Sequence, residues 1–299
     1  MRVFHSASYE IPLPGHIWPT SKYRLIAERL LGDSRFRGCT FVAPHPASWE
    51  DLALVHTAEY LDRIRNDRLT SGDVATLELP WAPAIADGFR LMVGGTCAAA
   101  SAALEDGAAL HLGGGLHHAF ANHGEGFCLF NDVAVAIRAL QRGRRIRRAA
   151  VVDCDVHHGN GTAMIFDGDP DVFTCSIHQQ HNYPMFKPRS DLDVGLRDGA
   201  GDEEYLAHLR RAMPQVLESR PEIVIYLAGA DPFVGDRLGG LALTKAGLSE
   251  RDGVVVRAVR AARVPLVVVL AGGYAADVAD TVEIHAATAE ELLRSSCGD

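Results

Sequence analysis

Short apolar runs that stop abruptly at glycine, aspartate or histidine recur along this chain, and no other feature restricts its fold as much. They read at 108–112, 149–152, 172–176, 222–228 and 266–270, with shorter ones at 2–4 and 41–43. A run too short for a buried helix and apolar at every position suits a strand covered on both faces. Helical segments separate these runs, at about 20–31, 83–105, 131–142, up to 166, 203–219, 249–262 and much of 275–294. Another helical region, opened by a capping box at Ser48 and Asp51, extends to residue 65. Gly94 and Gly95 are expected to interrupt the 83–105 helix and Gly107 to end it, while 66–82 and 178–201 read as loops. Strand and helix in alternation describe an α/β chain whose central, mostly parallel sheet has helices on both faces.

In such sheets, sites form beyond the carboxyl ends of the strands, and the chemically unusual residues fall there. The run 149–152 discharges into Asp153, Asp155 and His157, which alternate and so project from one side of extended backbone. Gly159 and Gly161 permit a tight exit, and Cys154 points the other way, into packing. Run 108–112 delivers His117 and His118, run 222–228 delivers Asp231, and run 266–270 delivers Gly272, Gly273 and Tyr274. Asp155, His157 and Asp231 make a three-ligand set for a divalent ion that leaves coordination open, the mark of a catalytic metal. One histidine of the pair can move a proton, the Tyr274 phenol can donate to an oxyanion, and Asp153 and Asn160 can orient the imidazoles. Together these residues suit metal-assisted amide hydrolysis.

Composition closes off other classes. A net charge of −9 argues against sequence-independent nucleic-acid binding, and no apolar run approaches the ~20 residues of a membrane span. The N-terminus MRVFHSASYE is unlike a signal peptide, and the six cysteines, at 39, 97, 128, 154, 175 and 297, show no paired spacing; both point to reduced thiols and a cytoplasmic protein. The arginine cluster 142–148 is read as complementing a helix end. His5, His16, His56 and His123 are read as hydrogen-bonded loop or core residues, His158 as facing away from the metal, and Asp236 and Arg237 as bracing a loop.

Five motifs in order, GGGLHHA, GFCLFNDVAVA, VVDCDVHHGNGT, AGADPFVGDRLGG and LAGGYA, resemble the histone deacetylase family. PLPGH, KYRLIAERL and GDRLGGL are most similar to its class IV branch and bacterial relatives of that branch. The resemblance spans the chain and implies a single-domain arginase/deacetylase-like fold over 1–299. It implies zinc, or ferrous iron, on Asp155, His157 and Asp231, with Tyr274 as the transition-state tyrosine. His118 would be the general base and acid and His117 an electrostatic assistant, paired with Asn160 and Asp153 respectively. Class I members carry aspartate where Asn160 stands, which would leave His118 less basic here. A structural potassium or sodium ion would sit on Asp153, Asp155, His157, Ser176 and the Ile177 carbonyl, and Gly126, Phe127, Tyr183, Gly272 and Gly273 would line an acyl-lysine tunnel.

The expected substrate is Nε-acyl-lysine in a protein or peptide, acetyl or longer, with acetylpolyamines or other small acylated amines as the alternative. A non-catalytic metal-binding scaffold is the alternative of another class. A two-manganese ureohydrolase is disfavoured because Gly159 offers no bridging carboxylate. Oligomeric state is not legible.

Overall fold

A computed structural model describes residues 1–296, so Cys297 lies outside the described residues. Eight strands form one sheet: β1 Arg2–Phe4, β2 Thr40–Val42, β3 Ala108–His111, β4 Ala149–Asp153, β5 Val172–Gln179, β6 Leu192–Leu196, β7 Val224–Leu227 and β8 Leu266–Val269. Their order is β2-β1-β3-β8-β7-β4-β5-β6, and every pairing is parallel. The chain leaves a gap between β3 and β4 that β7 and β8 fill last. The carboxyl ends of β3, β8, β7 and β4 therefore stand side by side although they lie far apart in sequence.

The apolar runs are continuous because both faces of the sheet are covered. In β4, Ala150 and Val152 pack with Val224, Tyr226, Leu266 and Val268 beneath helices α1 (Ser21–Leu31), α8 (Asp202–Glu218), α9 (Lys245–Ala261) and α10 (Val278–Ser296). Ala149 and Val151 join Ile225, Val267 and Val269 on the other face, against α5 (Pro83–Asp106) and α6 (Asp132–Arg142). Each valine so buried contributes about 1.5–3 kcal/mol of apolar transfer, which is how strands of four or five residues hold their register. A third cluster, rich in rings (Tyr9, Trp18, Tyr23, Phe89, Phe130), packs beneath the N-terminal segment beside the strand ends.

Three readings from sequence need correction. Helix α5 runs through Gly94 and Gly95 without a break; a Cβ at Gly94 would meet the His45 carbonyl, and one at Gly95 the His111 ring and the Tyr9 hydroxyl, so these glycines permit close approach. The 48–65 region is two helices, α2 (Trp49–Leu52) and α3 (Ala58–Arg65), because Thr57 caps a new start by accepting from the Tyr60 amide at 3.3 Å. The two expected loops each hold an element. Helix α4 (Ser71–Leu77) opens with a full capping box of Thr70 and Asp73, and edge strand β6 pairs with β5, which runs on to Gln179. Gly107 ends α5 as expected, at φ 80°.

Candidate active site

Strand β4 ends at Asp153, and the backbone beyond it carries Asp155 and His157 before short helix α7 (Asn160–Ile165) begins. Asp231 follows β7. The three side chains converge: His157 Nδ1 lies 3.0 Å from Asp155 Oδ1 and 3.3 Å from Asp231 Oδ2, and all three residues are buried. Backbone amides fix the carboxylates. Gly272 N–H donates to Asp155 Oδ2 at 2.8 Å, and Val156 N–H donates to Asp231 Oδ1 at 2.9 Å. Asp231 Oδ2, fully buried, makes no hydrogen bond among the described residues. Burial and the charge of Asp155 push the Asp231 carboxyl up from the ordinary range. Two buried carboxylates converging on one imidazole nitrogen are costly to desolvate, and a divalent cation between them offsets that cost. The donor atoms lie within 4.8 Å of one another, and this oxygen, nitrogen, oxygen set fits zinc or ferrous iron with positions left open.

The glycine turn after β3 brings two imidazoles to the same place. His117 Nδ1 is 2.7 Å from Asp153 Oδ2, His118 Nδ1 is 2.7 Å from Asn160 Oδ1, and the two Nε2 atoms face each other at 3.1 Å. Their environments drive them apart. Burial pulls His117 down, but the Asp153 and Asp155 carboxylates outweigh it and hold the imidazole at about 9. Burial pulls His118 down too, the positive His117 and His157 add to the effect, and a neutral asparagine cannot reverse it, so His118 sits well below an ordinary histidine. The surroundings thus bias His117 toward the cation and His118 toward the free base, the division of labour that general acid–base chemistry uses.

Tyr274 follows β8 and Gly273. Its backbone N–H donates to Asp236 Oδ2 at 2.6 Å, Asp236 Oδ1 also accepts from Leu238 and Gly239 amides, and Arg237 Nε donates to the Tyr274 carbonyl at 3.1 Å. Asp236 and Arg237 brace the loop that carries the phenol. Tyr274, His118, His157, Gly126, Phe127, Tyr183, Asn182, Leu238 and Glu78 line a cavity open to the surface. Gly126, at φ 52°, stands where a Cβ would come 2.9 Å from both His118 Cδ2 and Tyr183 Cε1. Phe127 faces Tyr274 edge-on at 6.0 Å between ring centroids. Gly272 lines a second recess that shares His118, His157 and Tyr274 with this cavity, and Gly273 sits against Thr281 and His285.

Asp153 and Ser176 stand opposite each other in the β4/β5 register, with Ile177 next along; Ser176 Oγ is 3.0 Å from His178 Nδ1. His158 points away from the three-ligand cluster, 3.1 Å from Asp193 Oδ1. His56 lies between the Phe120 carbonyl and the Asn131 amide, and His16 packs on Phe127 at 4.6 Å. His181 is exposed, whereas His178 is buried against His158.

Three participants escaped the sequence reading. Asp132 is buried at the start of α6 and accepts the Gly115 and Leu116 amides at 3.0 and 2.7 Å, which fixes the turn delivering the histidines. Lys22 is fully buried, with Nζ donating to the Ala271 carbonyl at 2.9 Å; desolvation lowers it to about 8 despite Asp231, Asp155 and Asp236. Glu125 contacts Asn160 and Tyr183. A buried aspartate after an asparagine helix cap was the only local signal among them.

Residues 16–289 match the family description Histone deacetylase domain. The chain belongs to the histone deacetylase family. It is 40% identical over 285 residues to an uncharacterized protein of Picosynechococcus sp., covering 95% of each chain. It is 32% identical to Histone deacetylase 2 of Arabidopsis thaliana, covering 94% of this chain and 77% of that one. The solved HDA15 HD domain superposes with a TM-score of 0.79 at 25% identity, covering all of this chain and 91% of that one. The eight-stranded parallel sheet with helices on both faces is thus the family's deacetylase fold, and the family relation makes the chain a hydrolase acting on amides.

Proposed function

We propose that this chain removes acyl groups from Nε-acyl-lysine of proteins or peptides, releasing a carboxylate and the free amine. The observation that carries the reading is the pair of imidazoles facing each other at 3.1 Å, each held through Nδ1 by Asp153 or Asn160, beside a buried three-ligand cluster at the foot of a ring-lined cavity. Asp155, His157 and Asp231 would hold zinc or ferrous iron, whose Lewis acidity polarises the acyl carbonyl and acidifies water. The protein supplies the rest. His118 Nε2 accepts the proton of the attacking water and returns it to the departing nitrogen, while cationic His117 and the Tyr274 hydroxyl stabilise the oxyanion. Burial, reinforced by the Asp155 and Asp231 charges, holds the Tyr274 phenol well above an ordinary tyrosine, so it stays protonated and able to donate. Gly126, Phe127 and Tyr183 confine the alkyl chain and exclude water.

A small acylated polyamine is the second reading, supported by Glu78 in the cavity lining, where a carboxylate can meet a distal ammonium. Asp153, Asp155, His157, Ser176 and the Ile177 carbonyl are assigned to a structural potassium or sodium ion, a reading that rests on the strand register. A cytoplasmic setting is proposed from the cysteine spacing in the sequence; among the described residues no helix is long and apolar enough to cross a membrane. Purified protein assayed on acetyl-lysine peptide, myristoyl-lysine peptide and acetylpolyamine, with and without chelator, tests the proposal. Chelator-sensitive turnover of acyl-lysine is expected. Turnover of none of the three when metal-replete would favour a scaffold.

A further inference from the structure

Asparagine is an ambiguous partner for a base. Its amide presents an acceptor at one end and donors at the other, and the two ends occupy nearly the same space. With Oδ1 toward His118, the ring must place its proton on Nδ1, leaving the Nε2 lone pair to take a proton from water. With Nδ2 turned there instead, Nδ1 must accept and Nε2 carries the proton, so the base is disabled.

The contact at 2.7 Å between Asn160 Oδ1 and His118 Nδ1 shows the productive arrangement, and the other end of the amide shows what selects it. Asn160 Nδ2 donates to Glu125 Oε1 at 2.6 Å. An ionised carboxylate only accepts, so it tolerates the amide in one orientation alone. Burial works against that charge, but donors oppose it. Tyr183 hydroxyl donates to the same Oε1 at 3.1 Å, and His123 Nε2 lies 3.3 Å from Oε2. Tyr183 in turn packs edge-on against the His118 ring at 5.0 Å. One carboxylate thus touches both the residue that orients the base and the ring that walls the cavity.

Resting on the deacylase reading above, we propose that Glu125 is a positioning residue that fixes the Asn160 amide and thereby the tautomer of His118. The consequence is a dependence on residue 160 that a structural role would not show. Aspartate at 160 has two equivalent acceptors and needs no orienting, and beside Glu125 it would suffer like-charge repulsion.

The test uses kcat and KM on acetyl-lysine peptide for the metal-loaded parent, Glu125→Met, Glu125→Gln, Asn160→Asp and the Glu125→Met/Asn160→Asp double variant. Glu125→Met should lower kcat roughly tenfold or more with KM nearly unchanged, the loss typical of an orienting partner. Glu125→Gln, whose amide can turn either end toward Asn160, should fall between the parent and Glu125→Met in kcat. In the Asn160→Asp background, Glu125→Met should raise kcat. A similar fractional loss in both backgrounds, or none in the first, would overturn the proposal. The tautomer is also read directly by NMR of 15N-labelled histidine. The parent should show His118 protonated at Nδ1, and Glu125→Met should lose that signal; an unchanged signal overturns the assignment even if the parent hydrolyses nothing, whereas absent turnover with the expected NMR change would fault the deacylase reading alone.

Discussion

Alanine at position 272 should cost the protein its metal while leaving the fold in place. A Cβ on Gly272 would lie 2.6 Å from Asp155 Oδ2 and closer still to Asp231 Oδ2, whereas ordinary contact begins at 3.4 Å. The Gly272 N–H that holds Asp155 is kept by alanine, so the perturbation is steric and falls on two of the three ligands. Relief requires the carboxylates to retreat by about 1 Å, several times the ~0.2 Å tolerance of ligand distances at a metal site. Affinity should fall by at least ~100-fold, about 2.7 kcal/mol. Overpacking should cost the metal-free protein about 1–3 kcal/mol, seen as a modest drop in Tm. The assay is zinc competition against a calibrated chelator, with Gly38→Ala as control because that position has open space around it. Zinc affinity of Gly272→Ala within threefold of the parent would refute the placement of the ion between Asp155 and Asp231.

Tyr274→Phe should keep stoichiometric metal but lose roughly 100- to 1000-fold in kcat, the usual loss for one oxyanion donor; an unchanged rate would contradict the role given to the phenol. Asp231→Ala should lose tight metal binding, checked by metal content after dialysis. His56 predicts acid sensitivity. Burial lowers it from 6.5 to about 4, against the pull of the Phe120 and Ala121 backbone contacts, so the unfolded chain binds the extra proton between those values. Stability should then fall as pH drops from about 6.5 to 4, by about 3 kcal/mol in all. His56→Gln should show a correspondingly smaller loss of urea stability between pH 7.5 and 4.5.

The sheet was legible because its strands are buried on both sides, so each announces itself as an uninterrupted apolar run ending in polar residues. The same logic made Asp155, His157, Asp231 and Tyr274 stand out, since each follows such a run. Strand β6 carries no such mark: LDVGL lies at the sheet edge with partly exposed side chains, and its pairing with β5 is decided by the neighbour. Helix α4 does carry a local mark, the Thr70 and Asp73 capping spacing, but it is set in a stretch whose composition is that of a loop. Gly94 and Gly95 misled because a glycine pair reads as a helix break until the backbone and rings packed against it are known. Lys22 and Glu125 gave no local signal at all, since their partners Ala271 and Asn160 are 249 and 35 residues away in sequence.

The central claim is spatial, that Asp155, His157 and Asp231 share one ion within reach of His118 and Tyr274. Anomalous diffraction at the zinc edge from crystals of the zinc-loaded protein measures it directly. The account predicts a single strong divalent peak bonded to Asp155, His157 and Asp231, lost in Asp231→Ala. A pair of bridged ions there, or a principal peak at His158, His178 and Asp193 instead, would contradict it.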